Sequence, residues 1–289
     1  MTDQKPMGIT FGSLGVLGPK AITNIATDAQ TLGYRSIWTV EATGTDALTM
    51  LGAVSQAAPN LDLGTGIVPI QIRTPALAAM SAATLQALNP DIDVWLGVGV
   101  SAPGILSQHG MPTTDKPIGM MREYVALFRE CLSGESVTFE GDYFQTKRFR
   151  LGMRLGERKP KIVMAALNPQ MLKLAGEVAD GVLLNYLPSS HVQPSIDQVR
   201  KGGPAKIFAY VHASVTEFER GAKSAKKDLF NYVMADGYAK MFKEAGFGEE
   251  VDEIRALQKQ KNRDGAVDAV SEKMIQAIDF IGSKSEVTQ

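Results

Sequence analysis

The sequence predicts an α/β fold whose parallel strands close into a barrel; an open sheet is the other arrangement the pattern allows. Three observations carry this. Strand-like and helix-like segments alternate from the N-terminus onward, which implies parallel strands joined by crossover helices. Seven strands appear in that alternation, which favours closure. The fourth, DVWLGVGVS from Asp93 to Ser101, is almost wholly apolar, as strands buried on both faces are. A chain of 289 residues supplies one large α/β domain with an ample core.

In order, Met7 to Gly12 is a short strand leading into the Gly-rich turn GSLGVLG. Pro19 to Gly33 is an amphipathic helix with Ile22, Ile25, Ala26, Ala29 and Leu32 on one face. Ser36 to Glu41 is the second strand. A loop and a helix capped near Thr45 and Asp46 follow. Leu61 to Arg73, LDLGTGIVPIQIR, starts as a strand that Gly64 and Gly66 interrupt; glycine inside a strand marks a bulge or a close approach to the backbone. Thr74-Pro75 opens the third helix as cap and first helical residue, and Leu77, Met80, Thr84, Ala87 and Leu88 mark its face. After the fourth strand come a loop (Ala102 to Lys116) and a helix, Pro117 to Leu132, carrying Ile118, Met121, Val125 and Phe128. Gly134 to Pro160 reads as a surface insertion with a hairpin. Lys161 to Ala166, Val182 to Tyr186 and Lys206 to Val215 are the remaining strands, with a helix over Met171 to Ala179. The region 218–265 is charged and helical, and Val267, Val270, Met274, Ala277, Ile278 and Ile281 share a face after it. An eighth strand is not evident. The expected organisation is a single domain over 1–289 with 134–160 as the insertion.

Lysine and arginine number 30 against 31 aspartates and glutamates, a net charge of −1 without a basic tract, so nucleic acid is not the expected partner. One cysteine, Cys131, fits a reducing cytoplasm. The start MTDQKPMGITF lacks the basic-then-apolar run of a signal peptide, and no stretch approaches the ~18 apolar residues of a membrane span. Three scattered histidines, without HExxH or CxxC, argue against a metal site.

In α/β proteins ligands gather at the C-terminal ends of the strands. There Glu41 ends the second strand, and a carboxylate in such a place is costly without a partner. It is read either as a proton relay or ligand contact, or as a loop carboxylate in water. His109 follows the fourth strand as a possible acid or base, or as an ordinary surface histidine. Asn168-Pro169 opens a helix whose N–H groups at Gln170 and Met171 suit an anion, ordinary capping being the blander account. Gly97 to Ala102 formally fits G-x-G-x-x-G/A, but the glycines lie inside the strand and no helix starts there, so a dinucleotide site is rejected. Those glycines either pack tightly or leave room for a flat ligand with Ser101 at the rim.

SIWTVEATGTDAL, LGTGIVPIQIRTPALAAMSAATL, WLGVGVSAPGILSQHG, MREYVALFRECLSGESVTFEGDYF and AALNPQMLKLAGEVADGVLLN together resemble the luciferase-like flavin and deazaflavin oxidoreductases, most of all the actinobacterial branch that uses coenzyme F420. The resemblance implies a (β/α)8 TIM barrel with an insertion and a cofactor at its C-terminal mouth. It implies a non-prolyl cis peptide at Gly66-Ile67 backing the cofactor ring, an acidic ring neighbour at Glu41, and a phosphate site at Ala166, Leu167 and Asn168. Ser101 and Asn185 then line the mouth, Gln170 and Met171 offer N–H groups to the phosphate, and a homodimer is expected by analogy. The sequence departs from the family pattern at Ala42, where sugar-phosphate dehydrogenases have a basic histidine. It departs again at PDIDVW, in place of Gly-Arg-Phe before the fourth strand, and in lacking a visible eighth strand. The expected activity is hydride exchange between F420 and a small organic substrate, with Glu41 and His109 as proton partners. An FMN-dependent monooxygenase is the second reading, and a cofactor-binding protein without turnover the third.

Overall fold

The computed structural model describes residues 6–288. The chain divides into two compact units, residues 1–165 with 174–182, and residues 166–173 with 183–289.

In the first unit the strands β1 (Gly8–Thr10), β2 (Ser36–Thr39), β3 (Asp62–Thr65), β4 (Val68–Pro69), β5 (Val94–Gly99) and β8 (Lys161–Ala165) are parallel, in the order β1-β2-β3-β5-β8 with β4 beside β5. The hairpin β6 (Val137–Glu140) and β7 (Gln145–Phe149) is antiparallel and lies within the stretch 134–160. Its turn is held by Glu123, whose carboxylate accepts the main-chain N–H groups of Asp142, Tyr143 and Phe144.

The helices α1 (Pro19–Thr31), α2 (Ala47–Ala57), α3 (Pro75–Leu88), α4 (Pro103–Gln108) and α5 (Pro117–Cys131) connect these strands. Asp46 caps α2 by accepting from Thr49 N–H at 2.8 Å, and Thr74 caps α3 through Leu77 N–H. The short helix α4 lies in what the sequence reads as loop; Pro103 suits its first position. In α1, Ile22, Ala26 and Ala29 are buried as expected, whereas Leu32 sits at the C-cap and is 75% exposed.

The face of α3 is the reverse of the one expected. Ala78, Ala79, Ala82 and Ala83 are buried, while Leu77, Met80 and Leu88 point outward. The physical reason is close packing. α3 carries apolar residues all round, and the alanine side lets it sit tightly against its neighbours.

Helix α6 (Pro169–Val178) and strand β9 (Gly181–Leu184) run from one unit's residues into the other's. The second unit continues with α7 (Ser189–Gly202), β10 (Lys206–Ala209), β11 (His212–Val215), α8 (Phe218–Val233), α9 (Asp236–Phe242), a π-turn over Lys243–Phe247, α10 (Gly248–Lys259), α11 (Arg263–Asp268), α12 (Glu272–Ile278), β12 (Asp279–Gly282) and α13 (Lys284–Val287). Its core is built from Leu229, Phe230, Val233, Phe242, Val251, Ile254, Met274 and Ile275 among others.

Two expectations change in this unit. The strand expected over Lys206 to Val215 is two strands broken at Tyr210-Val211. A further strand, β12, follows the last core helix and pairs with β11 in parallel, His212 beside Asp279. DFIG is too short, and too continuous with the helical spacing before it, to stand out by periodicity. For the same reason Ile281, read as part of a helical face, lies on a strand.

Candidate active site

The bulge is visible in the ladder itself. Leu63 and Gly64 pair with Val94 and Trp95, an offset of 31, whereas Val68 and Pro69 pair with Val98 and Gly99, an offset of 30. One extra residue therefore sits on the β3–β4 side. Where the ladder is interrupted, Thr65 fills in: its hydroxyl donates to Gly97 O and accepts from Gly97 N–H, both at 2.8 Å. The peptide Gly66-Ile67 is cis, as the resemblance implied.

This bulge is tied to the end of β2. Gly66 N–H donates to Thr39 O, and Glu41 N–H donates to Ile67 O at 3.0 Å. Glu41 is thereby placed against the bulge. It is buried, and its carboxylate is gripped by Arg73, Nε to Oε2 at 2.6 Å and Nη2 to Oε1 at 2.7 Å. This is the two-pronged geometry in which arginine binds carboxylates most strongly. The same Nη2 also donates to Asp46. Of the two accounts of Glu41, the water-exposed loop carboxylate is ruled out.

The hydrogen bond to Glu41 raises the Arg73 pKa further, against the effect of burial. Burial pushes Asp46 upward, but its Thr49 contacts and Arg73 outweigh that and hold it below the ordinary range. Sequence reasoning missed Arg73, although between Asp62 and Asp91 it is the one charged residue. A buried acid demanding a partner, and a lone cation in an uncharged run, were the signal.

His109 is the C-cap of α4 and is exposed. Its Nε2 lies 2.7 Å from the main-chain oxygen of Ala42, the residue after Glu41. Ser101 is half-buried just past β5. The glycines near the site are filled by protein atoms. A Cβ on Gly64 would meet the Trp38 ring at 2.3 Å, one on Gly97 the Thr65 oxygen, and one on Gly99 the Ile67 side chain. Tight packing, rather than room for a flat ligand, accounts for them.

Among the described residues of this unit, both ends of the Gln71 amide, Gln86 Oε1 and the Tyr124 hydroxyl are buried without a hydrogen-bond partner. Burial raises the Tyr124 pKa, while the charges of Arg73 and Glu41 act on it in opposite senses.

The remaining candidates lie in the second unit. Ala166 is buried, Leu167, Asn168 and Met171 are half-buried, and Gln170 is exposed. Asn168 starts α6 through its main-chain oxygen, which accepts from Leu172 N–H at 2.9 Å. Its side-chain oxygen is buried without a partner, so the expected side-chain cap is not made.

Asn185 is occupied by protein groups. Its amide nitrogen donates to Tyr238 Oη at 3.0 Å, and its oxygen is 3.1 Å from His212 Nε2. Tyr186 stacks between His212 and Tyr232, at 3.7 and 3.9 Å between ring centroids. Burial lowers the His212 pKa to about 4 and raises that of Tyr238. Asn185 is thus a hub of a half-buried aromatic network, which sequence position alone did not reveal. No cluster of three metal-ligating side chains occurs among the described residues.

The bulged strand and the clamped carboxylate thus meet where β2 and β3 end. A model of the luciferase-like monooxygenase family matches residues 6–289, so the chain belongs to that family. A Mycobacterium tuberculosis protein provisionally named coenzyme F420-dependent oxidoreductase Rv3520c is 24% identical over 97% of this chain and 89% of its own length. The coenzyme F420-dependent tetrahydromethanopterin reductase of Methanopyrus kandleri superposes with a TM-score of 0.77 at 21% identity, covering 98% of this chain and 87% of that one. An F420-dependent secondary alcohol dehydrogenase in complex with an F420-acetone adduct gives 0.75 at 18% identity, over 98% and 88%. The fold class is the α/β barrel type of these structures.

Proposed function

We propose that this chain is an oxidoreductase that exchanges a hydride between the deazaflavin coenzyme F420 and a small organic substrate. The observation that carries the reading is the contact between Glu41 N–H and Ile67 O, which brings the acid and the bulge together as a ring-binding wall requires. The names of the relatives supply the cofactor.

The donor set suits the cofactor's phosphate. The first turn of α6 holds no acidic residue, and Gln170 and Met171 have N–H groups that helix geometry leaves free. In this reading Gly66 and Ile67 back the ring, and Ser101 and Asn185 border the substrate side. Ala166, Leu167, Asn168, Gln170 and Met171 hold the phosphate. When bound, the deazaflavin supplies the redox chemistry. The chain orients it, excludes water and moves a proton.

The protein acts in the cytoplasm as one domain over 1–289 and as a homodimer. The buried lone thiol of Cys131 supports the first part; no helix among the described residues is long and apolar enough to cross a membrane. The outward apolar stripe of α3 supports the last.

Fluorescence titration of the protein with F420 and with FMN tests the cofactor. Tight binding of F420 alone is expected; preference for FMN moves the assignment to an FMN-dependent monooxygenase, monooxygenase being the reaction type in the family's description. In that case stopped-flow mixing of the reduced protein with oxygen gives a C4a-adduct absorbance. The third reading, binding without turnover, predicts tight F420 binding with no hydride transfer to any of a panel of enones, imines or alcohols.

A further inference from the structure

Glu41 and His109 are both candidates for handling the proton, and their hydrogen bonds separate them. Both oxygens of Glu41 face the Arg73 fork, with the two side chains only 7% and 12% exposed. Protonating Glu41 removes the negative charge that both prongs of the fork bind, although each oxygen keeps a second lone pair. Arg73 is itself anchored at Asp46, whose other oxygen caps α2, so the prong has little freedom to swing away.

The imidazole of His109 is arranged differently. A main-chain carbonyl only accepts, so Nε2, 2.7 Å from Ala42 O, carries the hydrogen. In the neutral ring the lone pair then belongs to Nδ1. A carbonyl that fixes one ring nitrogen as donor leaves the other as the basic atom.

We infer that Nδ1 of His109 is the proton-transfer atom of this site, and that Arg73 is a positioning residue that withdraws Glu41 from proton exchange. The inference rests on the hydride-exchange reading and assigns the proton within it. In the oxidising direction a substrate C–H leaves as hydride to the deazaflavin, the O–H proton passes to Nδ1, and the C=O bond forms. In the reducing direction Nδ1–H returns the proton to the oxygen as the carbon receives the hydride. In both, Nε2–H stays on the Ala42 carbonyl, so the ring does not turn over between half-reactions.

The first test needs no cofactor. With three histidines in the chain, nitrogen-15 imidazole spectra are assigned by comparing wild type with His109→Gln. His109 is expected as the Nε2–H tautomer with an unprotonated Nδ1 at alkaline pH; an Nδ1–H tautomer overturns the inference.

The second test is single turnover of reduced F420 with a panel of aldehydes and ketones. His109→Gln keeps an N–H for Ala42 O but has no basic nitrogen. It is expected to bind F420 like wild type and to lose about 10²–10⁴-fold in rate, the usual worth of a positioned acid or base. Arg73→Gln frees Glu41, so its pH–rate profile is expected to gain an ionisation in the carboxylate range that Arg73→Lys lacks. A rate for His109→Gln within threefold of a turning-over wild type overturns the proton assignment alone. Failure of the wild type to bind F420 overturns the function beneath it instead. Arg73→Gln and Arg73→Lys are compared at matched folded fraction, so that only the charge at the clamp differs.

Discussion

A Cβ built on Gly97 would lie 1.7 Å from the Thr65 carbonyl oxygen, a main-chain atom that cannot step aside. Gly64 and Gly99 make the same kind of room, for the Trp38 ring and the Ile67 side chain. Gly97→Ala is therefore expected to destabilise the fold by about 3 kcal/mol or more, the upper range for overpacking, read as a lowered urea midpoint. Gly104→Ala, with nothing within 4 Å of the added atom, is the control. The sequence marked Gly64 as a bulge or close approach and left packing and ligand space as the two accounts of Gly97 and Gly99. Their neighbours come from other strands: Thr65 and Gly97 are 32 positions apart. The same holds for Glu41 and Arg73, also separated by 32. Residue type told that Glu41 needed a partner; only the folded chain told which one.

Among elements, the β11–β12 pair carries two groups whose pKa values burial shifts in opposite directions. Burial, with a smaller push from Asp228, raises the Asp279 pKa to about 6 from 3.8, and one of its oxygens is buried without a partner. The native state then holds this proton more tightly than the unfolded chain. Its contribution is fully present below about pH 3.8 and is lost as pH rises through about 6. His212, lowered to about 4 from 6.5, runs the other way: its contribution is present above pH 6.5 and is lost as pH falls towards 4. Asp279→Asn should accordingly raise the melting temperature at pH 8 and change it little at pH 4. Because Asp279 is only half-buried, the gain is about 1 kcal/mol, or roughly 2–4 °C for a chain of this size. Differential scanning calorimetry at the two pH values checks both size and sign. Helix α3 adds the lesson of faces. Its pattern gave a helix with the correct start, because Thr74 and Pro75 act locally. It did not give the buried side, because leucine and alanine both satisfy an apolar periodicity.

Across the molecule, charge is sorted by strand end. At the N-terminal ends of the first unit's strands, Arg35 pairs with Asp62, Asp62 accepts from Asp93 N–H, and Asp93 pairs with Lys161 and Arg158. Burial pushes Asp93 upward, but Lys161 and Arg158 outweigh it and hold its carboxyl below the ordinary range. The departure PDIDVW thus supplies a carboxylate that stitches neighbouring strands together. At the opposite ends lie the Arg73 clamp and His109. On the outside, α2 and α3 contain no charged residue, and Leu77, Met80 and Leu88 are exposed on α3. In a two-fold interface a charge near the axis meets its own copy, so an uncharged face suits such a contact. Sedimentation velocity is expected to give twice the 31.1 kDa chain mass for wild type and the single mass for the double variant Met80→Lys, Leu88→Lys. A monomeric wild type refutes the dimer.

By itself the sequence determined the class of fold, the caps at Asp46 and Thr74, the bulge after Thr65 and the candidate ends of strands. Each depends on residues a few positions apart, where composition and spacing act directly. Only the tertiary structure decided that Arg73 grips Glu41, that His109 turns one nitrogen to Ala42, that Asn185 is enclosed by tyrosines and that Asp279 begins a strand. Those outcomes belong to side chains distant in the chain, whose meeting is fixed by how strands register and helices pack.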